Sequence, residues 1–133
     1  MDRYYHATSK KNFESIKKEM ILKCDSRKLV YACRDLDSTI EFAKKMIGNG
    51  RMNYDELVIF EFTTESEFIE SFDHGKKFHN NAKAYKTIGD VLLNSIEEVE
   101  VIFDWKGYLD ERFINEAYVS DITNEDLLRF SDV

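Results

Sequence analysis

The sequence is poor in the residues that interrupt or cross-link a chain, with no proline, five glycines and two cysteines among 133 residues. This composition excludes flexible linkers and low-complexity segments, and no internal repeat is visible. The cysteines, Cys24 and Cys33, are too few for a disulfide framework and indicate reduced thiols. Neither the start, MDRYYHATSKK, nor any later stretch has the apolar length of a signal peptide or a membrane span. We therefore expect one cytoplasmic domain over residues 1–133.

Hydrophobic and acidic residues are abundant. Hydrophobic residues make up 43% of the chain and aromatic residues 14%, which is enough for a packed core. The formal net charge of −7 excludes a general nucleic-acid binder, because phosphate contacts require lysine and arginine. Two local basic pairs, at 17–18 and 76–77, are explained more simply as solvated surface. No membrane partner is expected.

A strand and a helix are predicted at the start of the chain. Residues 3–7 alternate and are rich in tyrosine, as half-buried strands are, and Tyr5 is expected in the core on the face opposite His6. Thr8 or Ser9 can cap the helix that follows. Three apolar residues recur at helical spacing and define the buried face of that helix: Phe13, Ile16 and Met20.

A second strand and helix follow. Residues 28–34, KLVYACR, predict the strand. Ser38 with Glu41 three residues later is a capping-box pattern that opens the helix, and the GNG stretch at 48–50 ends it. The buried face of this helix carries Ile40, Ala43 and Ile47.

Strands dominate the second half. Residues 56–63, ELVIFEFT, form the strongest strand pattern, and the long apolar run indicates a central position. Further strands are predicted over 68–72, 84–86, 99–105 and 115–121. One helix is predicted from the spacing of Ile88, Val91, Leu92 and Ile96, and a last one after Thr123. This order, β-α-β-α followed mainly by strands, predicts an α+β fold with an antiparallel-rich sheet.

Several common functional sites are missing from the sequence. The GNG stretch lacks the third glycine and the strand–helix context of a dinucleotide-binding fingerprint, and no P-loop is present. The two cysteines together with His74 and His79 do not have metal-ligand spacing, so no metal site is expected. Neither cysteine has a base near it in the sequence, and both are interpreted as core residues.

Three residues are candidates for chemistry: His6 on the first predicted strand, Tyr31 on the second, and Glu116 at the start of a late strand. Each has an ordinary structural interpretation when taken alone. A strand tyrosine usually packs, a buried histidine usually holds a structural hydrogen bond, and a glutamate at a strand start is usually solvated. Their order along the chain and their surroundings are what make them informative.

The stretches YYHATS, VYACRDLDSTIEFA and NEAYVSDI, in this order, resemble the H-Y-E branch of the ADP-ribosyltransferase superfamily, which has the diphtheria-toxin and poly-ADP-ribose-polymerase fold. In that branch a histidine lies on the first strand, a tyrosine on the second and a glutamate on a late strand. His6, Tyr31 and Glu116 match these places. Phe42, eleven residues after Tyr31, matches a second aromatic residue of the family.

The resemblance implies two curved, mostly antiparallel sheets packed around a cleft with flanking helices, and a site for nicotinamide adenine dinucleotide (NAD). In this interpretation Tyr31 and Phe42 clamp the nicotinamide ring, a histidine orients a ribose, and neighbouring hydroxyls lie on the adenosine side. Glu116 stabilises the positive charge that develops on the ribose as nicotinamide leaves. The implied catalytic residues are Glu116, His6 and Tyr31, and the implied NAD-binding residues are His6, Thr8, Ser9, Tyr31 and Phe42.

Three positions depart from the family patterns. Ala7 and Val30 stand where glycine is frequent, which leaves the backbone less conformational freedom and a ligand less room. Ile114 stands where the R-S-E branch of the superfamily requires a second glutamate. Arginine modification by the mechanism of that branch is therefore not supported.

The activity implied by the resemblance is NAD-dependent transfer of ADP-ribose to a protein or nucleic-acid acceptor, as in bacterial or phage toxins and effectors. Three alternatives on the same fold stay open: NAD hydrolysis, RNA 2′-phosphotransfer and a non-catalytic binding module. The acidic chain, which lacks a dense arginine cluster, disfavours the RNA reaction. A fourth alternative is an α+β domain with an accidental motif match. Acceptor contacts are expected in loops over 48–56, 72–84 and 106–114.

Overall fold

The computed structural model describes residues 1–71 and 82–115, the last four of them as helical backbone only. The strands in these ranges are β1 (Asp2–Ser9), β2 (Ile21–Leu22), β3 (Leu29–Ala32), β4 (Leu57–Thr64), β5 (Ile69–Ser71), β6 (Ala84–Ile88), β7 (Val91–Leu92) and β8 (Ser95–Val99). The helices are α1 (Lys10–Glu19), α2 (Leu36–Gly48) and α3 (Trp105–Asn115), with a short 3-10 helix over Tyr54–Glu56. Of the strand predicted over 115–121, only Asn115 is described, as the last residue of α3, and the helix predicted after Thr123 lies outside the described residues.

The strand pairs of the described residues are antiparallel and form three sheets. β4 lies between β1 and β8, β6 lies between β3 and β5, and β2 pairs with β7. The α+β class predicted from the sequence is therefore confirmed. The central position predicted for the ELVIFEFT strand is confirmed as well, because β4 has a partner on each side.

β1 connects the two three-stranded sheets. The backbone N–H of Tyr5 donates to the carbonyl of Cys33 at 2.7 Å, and the N–H of Cys33 donates back to Tyr5 at 2.9 Å. This isolated bridge joins β1 to the residue that follows β3. The side chain of the next residue, His6, forms a hydrogen bond with the backbone of β3. The residues of β1 from Tyr4 to Thr8 therefore lie where the two sheets meet.

The core occupies both faces of β1. Tyr4, His6 and Thr8 are buried on one face, where Tyr4 packs with an aromatic cluster that includes Phe60, Phe62 and Phe68. Ala7 is buried on the other face, beneath residues of α2 and α3. The expectation that Tyr5 packs in the core is wrong: Tyr4 is fully buried, whereas Tyr5 is half-buried. Tyr5 lies on the same face of β1 as Ala7, and this face is less covered at Tyr5 than at Ala7.

Four local predictions need correction. The helix predicted over 88–96 is wrong, because Gly89 at φ +86° turns the chain and two short strands, β7 and β8, follow. The strand predicted over 99–105 and the loop over 106–114 are also wrong, since β8 ends at Val99 and α3 begins at Trp105. Asp104 accepts a hydrogen bond from the N–H of Gly107 at 3.0 Å and so caps α3. The cap of α2 is Asp35 and not Ser38.

Candidate functional site

A cavity of about 370 Å³ lies between β1, α1 and the chain segment that runs from β2 to β3. Its wall contains three of the residues predicted from the sequence: His6, Thr8 and Tyr31. His6 and Thr8 come from β1, and Tyr31 comes from β3, so the cavity lies where these two strands face each other. The cavity therefore has residues of both the YYHATS and the VYACRDLDSTIEFA stretches in its wall.

His6 is 3% exposed and is held by the backbone of β3. Its Nδ1 lies 2.8 Å from the carbonyl oxygen of Tyr31. A carbonyl oxygen only accepts hydrogen bonds, so Nδ1 must carry the proton, and Nε2 of the neutral ring then has the acceptor role. The imidazole also contacts the ring of Phe60, with ring centroids 5.5 Å apart. The strand contacts thus set both the position and the tautomer of His6.

The sequence offered both Thr8 and Ser9 as the cap of α1 and as residues of the ligand site. In the structure Ser9 is the cap, and Thr8 lines the cavity. The Ser9 hydroxyl accepts a hydrogen bond from the N–H of Asn12 at 3.2 Å, which makes Ser9 the N-cap of α1. The Thr8 hydroxyl, which is buried in the cavity wall, accepts from the Asn12 side-chain amide at 3.3 Å. Ser9 does not line the cavity.

Tyr31 and Phe42 are brought together, as the resemblance implied, but in a closed arrangement. Both belong to one hydrophobic cluster with Cys33 and Ala84, and they are 3% and 0% exposed. Phe42 does not line the cavity. The Arg27 guanidinium lies 5.4 Å from the centroid of the Tyr31 ring. A planar ligand ring could enter between Tyr31 and Phe42 only if this cluster opened.

Glu116 lies outside the described residues, and its place in the catalytic set stays a prediction. The same is true of His74 and His79. Of the three loops expected to contact an acceptor, the one over 72–84 is described only from Ala82 onward.

The cavity contains polar residues that the sequence interpretation did not single out. Asn12, Ser15 and Glu19 line it from one side of α1, at spacings of three and four residues. The segment after β2 contributes a further set, namely Lys23, Cys24 and Asp25. Helical spacing alone could have placed the three α1 residues on one face, but it could not show that this face borders a cavity.

The charged groups of the cavity wall are arranged in pairs. Lys23 Nζ lies 3.5 Å from Glu19 Oε2. Asp25 accepts hydrogen bonds from the backbone N–H groups of Arg27 and Leu29, and Arg27 Nη2 lies 2.8 Å from its second oxygen. Burial alone would raise the pKa of Asp25, but these hydrogen bonds outweigh it and lower the pKa below its ordinary value.

A second, more open cavity of about 630 Å³ borders α2 and contains none of the predicted site residues. Within the described ranges, no three histidine, cysteine or carboxylate side chains converge as a metal site would require. In the same ranges, no helix has both the length and the apolar character needed to cross a membrane.

Comparison of the chain with family models, with curated protein sequences and with solved structures finds no match in any of the three.

Proposed function

We propose that this chain is an NAD-dependent ADP-ribosyltransferase-like enzyme that cleaves nicotinamide from NAD and transfers ADP-ribose to a macromolecular acceptor. The observation that carries the proposal is the convergence of His6, Thr8 and Tyr31 on one cavity, with His6 Nδ1 2.8 Å from the Tyr31 carbonyl. In this proposal the β1–β4–β8 and β3–β6–β5 sheets form the two sides of the NAD cleft. A cytoplasmic location, where NAD is available, belongs to the same proposal.

The roles proposed for His6, Thr8 and Asn12 use the donors and acceptors of the cavity wall, and the role proposed for Glu116 comes from the family resemblance. His6 Nε2, as an acceptor, receives a hydrogen bond from a ribose hydroxyl and so orients the sugar. Thr8 and Asn12 offer a hydroxyl and an amide to the adenosine side. Glu116 supplies the carboxylate that stabilises the oxocarbenium-like ribose as the bond to nicotinamide breaks. The acceptor nucleophile then attacks the same ribose carbon, and hydrolysis results if the acceptor is water.

A second candidate function is favoured by one specific observation, the burial of the aromatic pair. Among the described residues, Tyr31 and Phe42 are closed in one cluster and only Tyr31 of the two lines the cavity, so we infer a site for a ribose or an adenine ring on the α1 side without a nicotinamide slot. A domain of this kind would bind an adenine nucleotide or ADP-ribose without cleaving NAD. The two candidates differ in whether nicotinamide is released.

The test incubates the purified chain with NAD labelled in the adenosine part and follows nicotinamide release and label transfer, with and without cell lysate. We expect release in the wild type and a loss of about 100-fold or more in Glu116→Gln, because the removed charge acts in the transition state. Glu111→Gln, on the exposed surface of α3, is the matched control and should leave the rate unchanged.

The outcomes separate the candidates. Label on protein or nucleic acid in the lysate supports transfer, and release without lysate supports hydrolysis. Saturable NAD binding without release supports the non-catalytic module. A folded sample that neither binds nor cleaves NAD contradicts the proposed function, and equal rates for Glu116→Gln and wild type contradict the role of Glu116.

A further inference from the structure

We propose that Lys23 is the phosphate-binding residue of the cavity, and that Glu19 holds Lys23 as a counter-ion which the bound diphosphate replaces. This inference rests on the proposed function, because it names the contact for the diphosphate of an NAD-type ligand. Neither residue belongs to the motifs that carry the family resemblance.

Lys23 and Glu19 lie on two different walls of the cavity. Glu19 is the last residue of α1, and Lys23 directly follows β2, so their ion pair connects the end of the helix to the end of the strand. Both residues line the cavity, and Lys23 Nζ lies 3.5 Å from Glu19 Oε2. Their side chains are 69% and 44% exposed, which places the pair at the opening of the cavity and within reach of solvent.

The charges of the cavity wall leave Lys23 as the cation available to a ligand. Among the described residues that line the cavity, the charged side chains are Glu19, Lys23 and Asp25. Asp25 is already engaged, because it accepts hydrogen bonds from two backbone N–H groups and from Arg27. An anionic ligand in this cavity would therefore meet one ammonium group, and it would meet the Glu19 carboxylate at the same place.

The exchange of Glu19 for a diphosphate is physically favourable. An exposed lysine–glutamate pair contributes little free energy, since solvent screens the charges and the side chains lose conformational freedom. A diphosphate carries more negative charge than one carboxylate, and it offers strong charge-assisted hydrogen bonds to an ammonium group. Because Glu19 competes for Lys23 and also repels the ligand, neutralising Glu19 and neutralising Lys23 should have opposite effects on affinity.

The experiment measures the dissociation constants of NAD and ADP-ribose by isothermal titration calorimetry at low and moderate salt. Lys23→Gln should weaken both ligands roughly tenfold at low salt and reduce the salt dependence of binding. Glu19→Gln should strengthen both roughly two- to fivefold. Lys23→Arg should stay near the wild-type value, because it keeps the charge. Lys18→Gln and Glu14→Gln, on the exposed side of α1, are matched controls that should change neither constant.

The result separates this inference from the function on which it rests. If the wild type binds NAD and Lys23→Gln binds it as well as Lys18→Gln does, Lys23 is not the phosphate contact, while the proposed function stands. If Glu19→Gln binds the ligands more weakly than the wild type, the counter-ion role is contradicted. A pair that only supports the structure of the cavity would give this weaker binding when it is lost. If the wild type binds neither NAD nor ADP-ribose, both the inference and the proposed function are wrong.

Discussion

His6 has one structural role in the fold and a second role that we propose, and each involves a different ring nitrogen. One nitrogen donates to the carbonyl of Tyr31 and helps to hold β1 against β3. The other, by the tautomer this contact imposes, has the acceptor role that we propose for a ribose hydroxyl. The structural and the functional interpretations of this histidine are therefore compatible. Because the ring is only 3% exposed, it needs a hydrogen-bond partner within the protein.

The two thiols should differ in reactivity, because their environments differ. Burial raises the pKa of Cys33 to about 12, whereas a hydrogen bond to the Asp90 carboxylate is the main cause that raises the pKa of Cys24. Since the thiolate is the reactive form, iodoacetamide at about pH 7.5 should leave Cys33 unmodified in the native protein and should label Cys24 slowly. The labelling of Cys24 should accelerate as the pH rises, because the thiolate fraction increases.

Replacing the carboxylate tests the cause of the Cys24 effect. Asp90→Asn removes the negative charge and should speed Cys24 labelling roughly threefold or more, as followed by mass spectrometry over time. Asp55→Asn, an exposed carboxylate elsewhere, should leave the rate unchanged. Labelling of Cys33 as fast as Cys24 in the native protein would contradict the burial argument.

At the scale of the element, α2 begins with a different cap from the one its sequence pattern predicts. Asp35 Oδ1 accepts a hydrogen bond from the N–H of Ser38 at 2.7 Å, and Ser38 donates its hydroxyl to the other carboxylate oxygen at 2.9 Å. Ser38 in turn accepts from the N–H of Lys83 at 3.0 Å. Ser38 is therefore a connecting residue between the helix and the segment that precedes β6.

Removal of the cap should destabilise the protein measurably. Asp35→Ala leaves the N–H and the hydroxyl of Ser38 without this acceptor and should lower the free energy of unfolding by about 1 kcal/mol in urea titrations. Asp37→Ala, in the first turn of the same helix, makes no cap hydrogen bond and should cost less than about 0.5 kcal/mol. Equal losses for the two variants would show that helix charge, and not the cap, is what Asp35 contributes.

Lys44 of α2 contacts both α3 and the segment that precedes it. Lys44 of α2 pairs with Glu41 at 2.8 Å, and its ammonium group lies 4.9 Å from the ring centroid of Phe103. The Tyr108 hydroxyl donates to the carbonyl of Lys44 at 3.2 Å. The contacts of Lys44 with Phe103 and Tyr108 join residues that are far apart in the sequence, which explains why local patterns over 99–114 predicted a strand and a loop there.

At the scale of the whole molecule, β4 organises the larger core. It pairs with β1 and β8, and its Phe60 and Phe62 are fully buried with ring centroids 5.8 Å apart. Phe60 also contacts Phe13 of α1 and the imidazole of His6. The core and the candidate cavity thus share a wall, and the packing of Phe60 supports the position of His6.

A substitution in this core should therefore be costly. Phe60→Leu should lower the free energy of unfolding by about 1 to 2 kcal/mol, because the smaller side chain leaves a void and loses ring contacts. Ile102→Ala, at a site that is 95% exposed, should change it by less than about 0.5 kcal/mol. Urea denaturation of both variants makes the comparison, and a loss in Ile102→Ala as large as that in Phe60→Leu would contradict the burial argument.

Several elements were predictable because their signals are local. Three such signals are the 3.6-residue period of α1 and α2, the GNG stretch at the end of α2 and the apolar run of β4, and each depends on residues that are neighbours in the chain. The helix predicted over 88–96 is wrong because a local spacing pattern can also arise by chance. The apolar residues of that pattern lie on three successive strands, β6, β7 and β8, and they happen to be spaced as they would be in one helix. The two-residue strand β2 and its partner β7 are too short to leave a periodic signal.

The sequence by itself determined the α+β class, the acidic charge and the residue types offered for chemistry, since these depend on composition and on local order. The tertiary structure alone decided that His6 and Tyr31, which are 25 residues apart, meet through a 2.8 Å hydrogen bond. It also decided that Tyr31 and Phe42 are closed in one buried cluster, and that Lys23 and Glu19 lie at the opening of the cavity. The first of these facts depends on which residues of β1 and β3 face each other, and that arrangement arises from packing over the whole core rather than from any one stretch of chain.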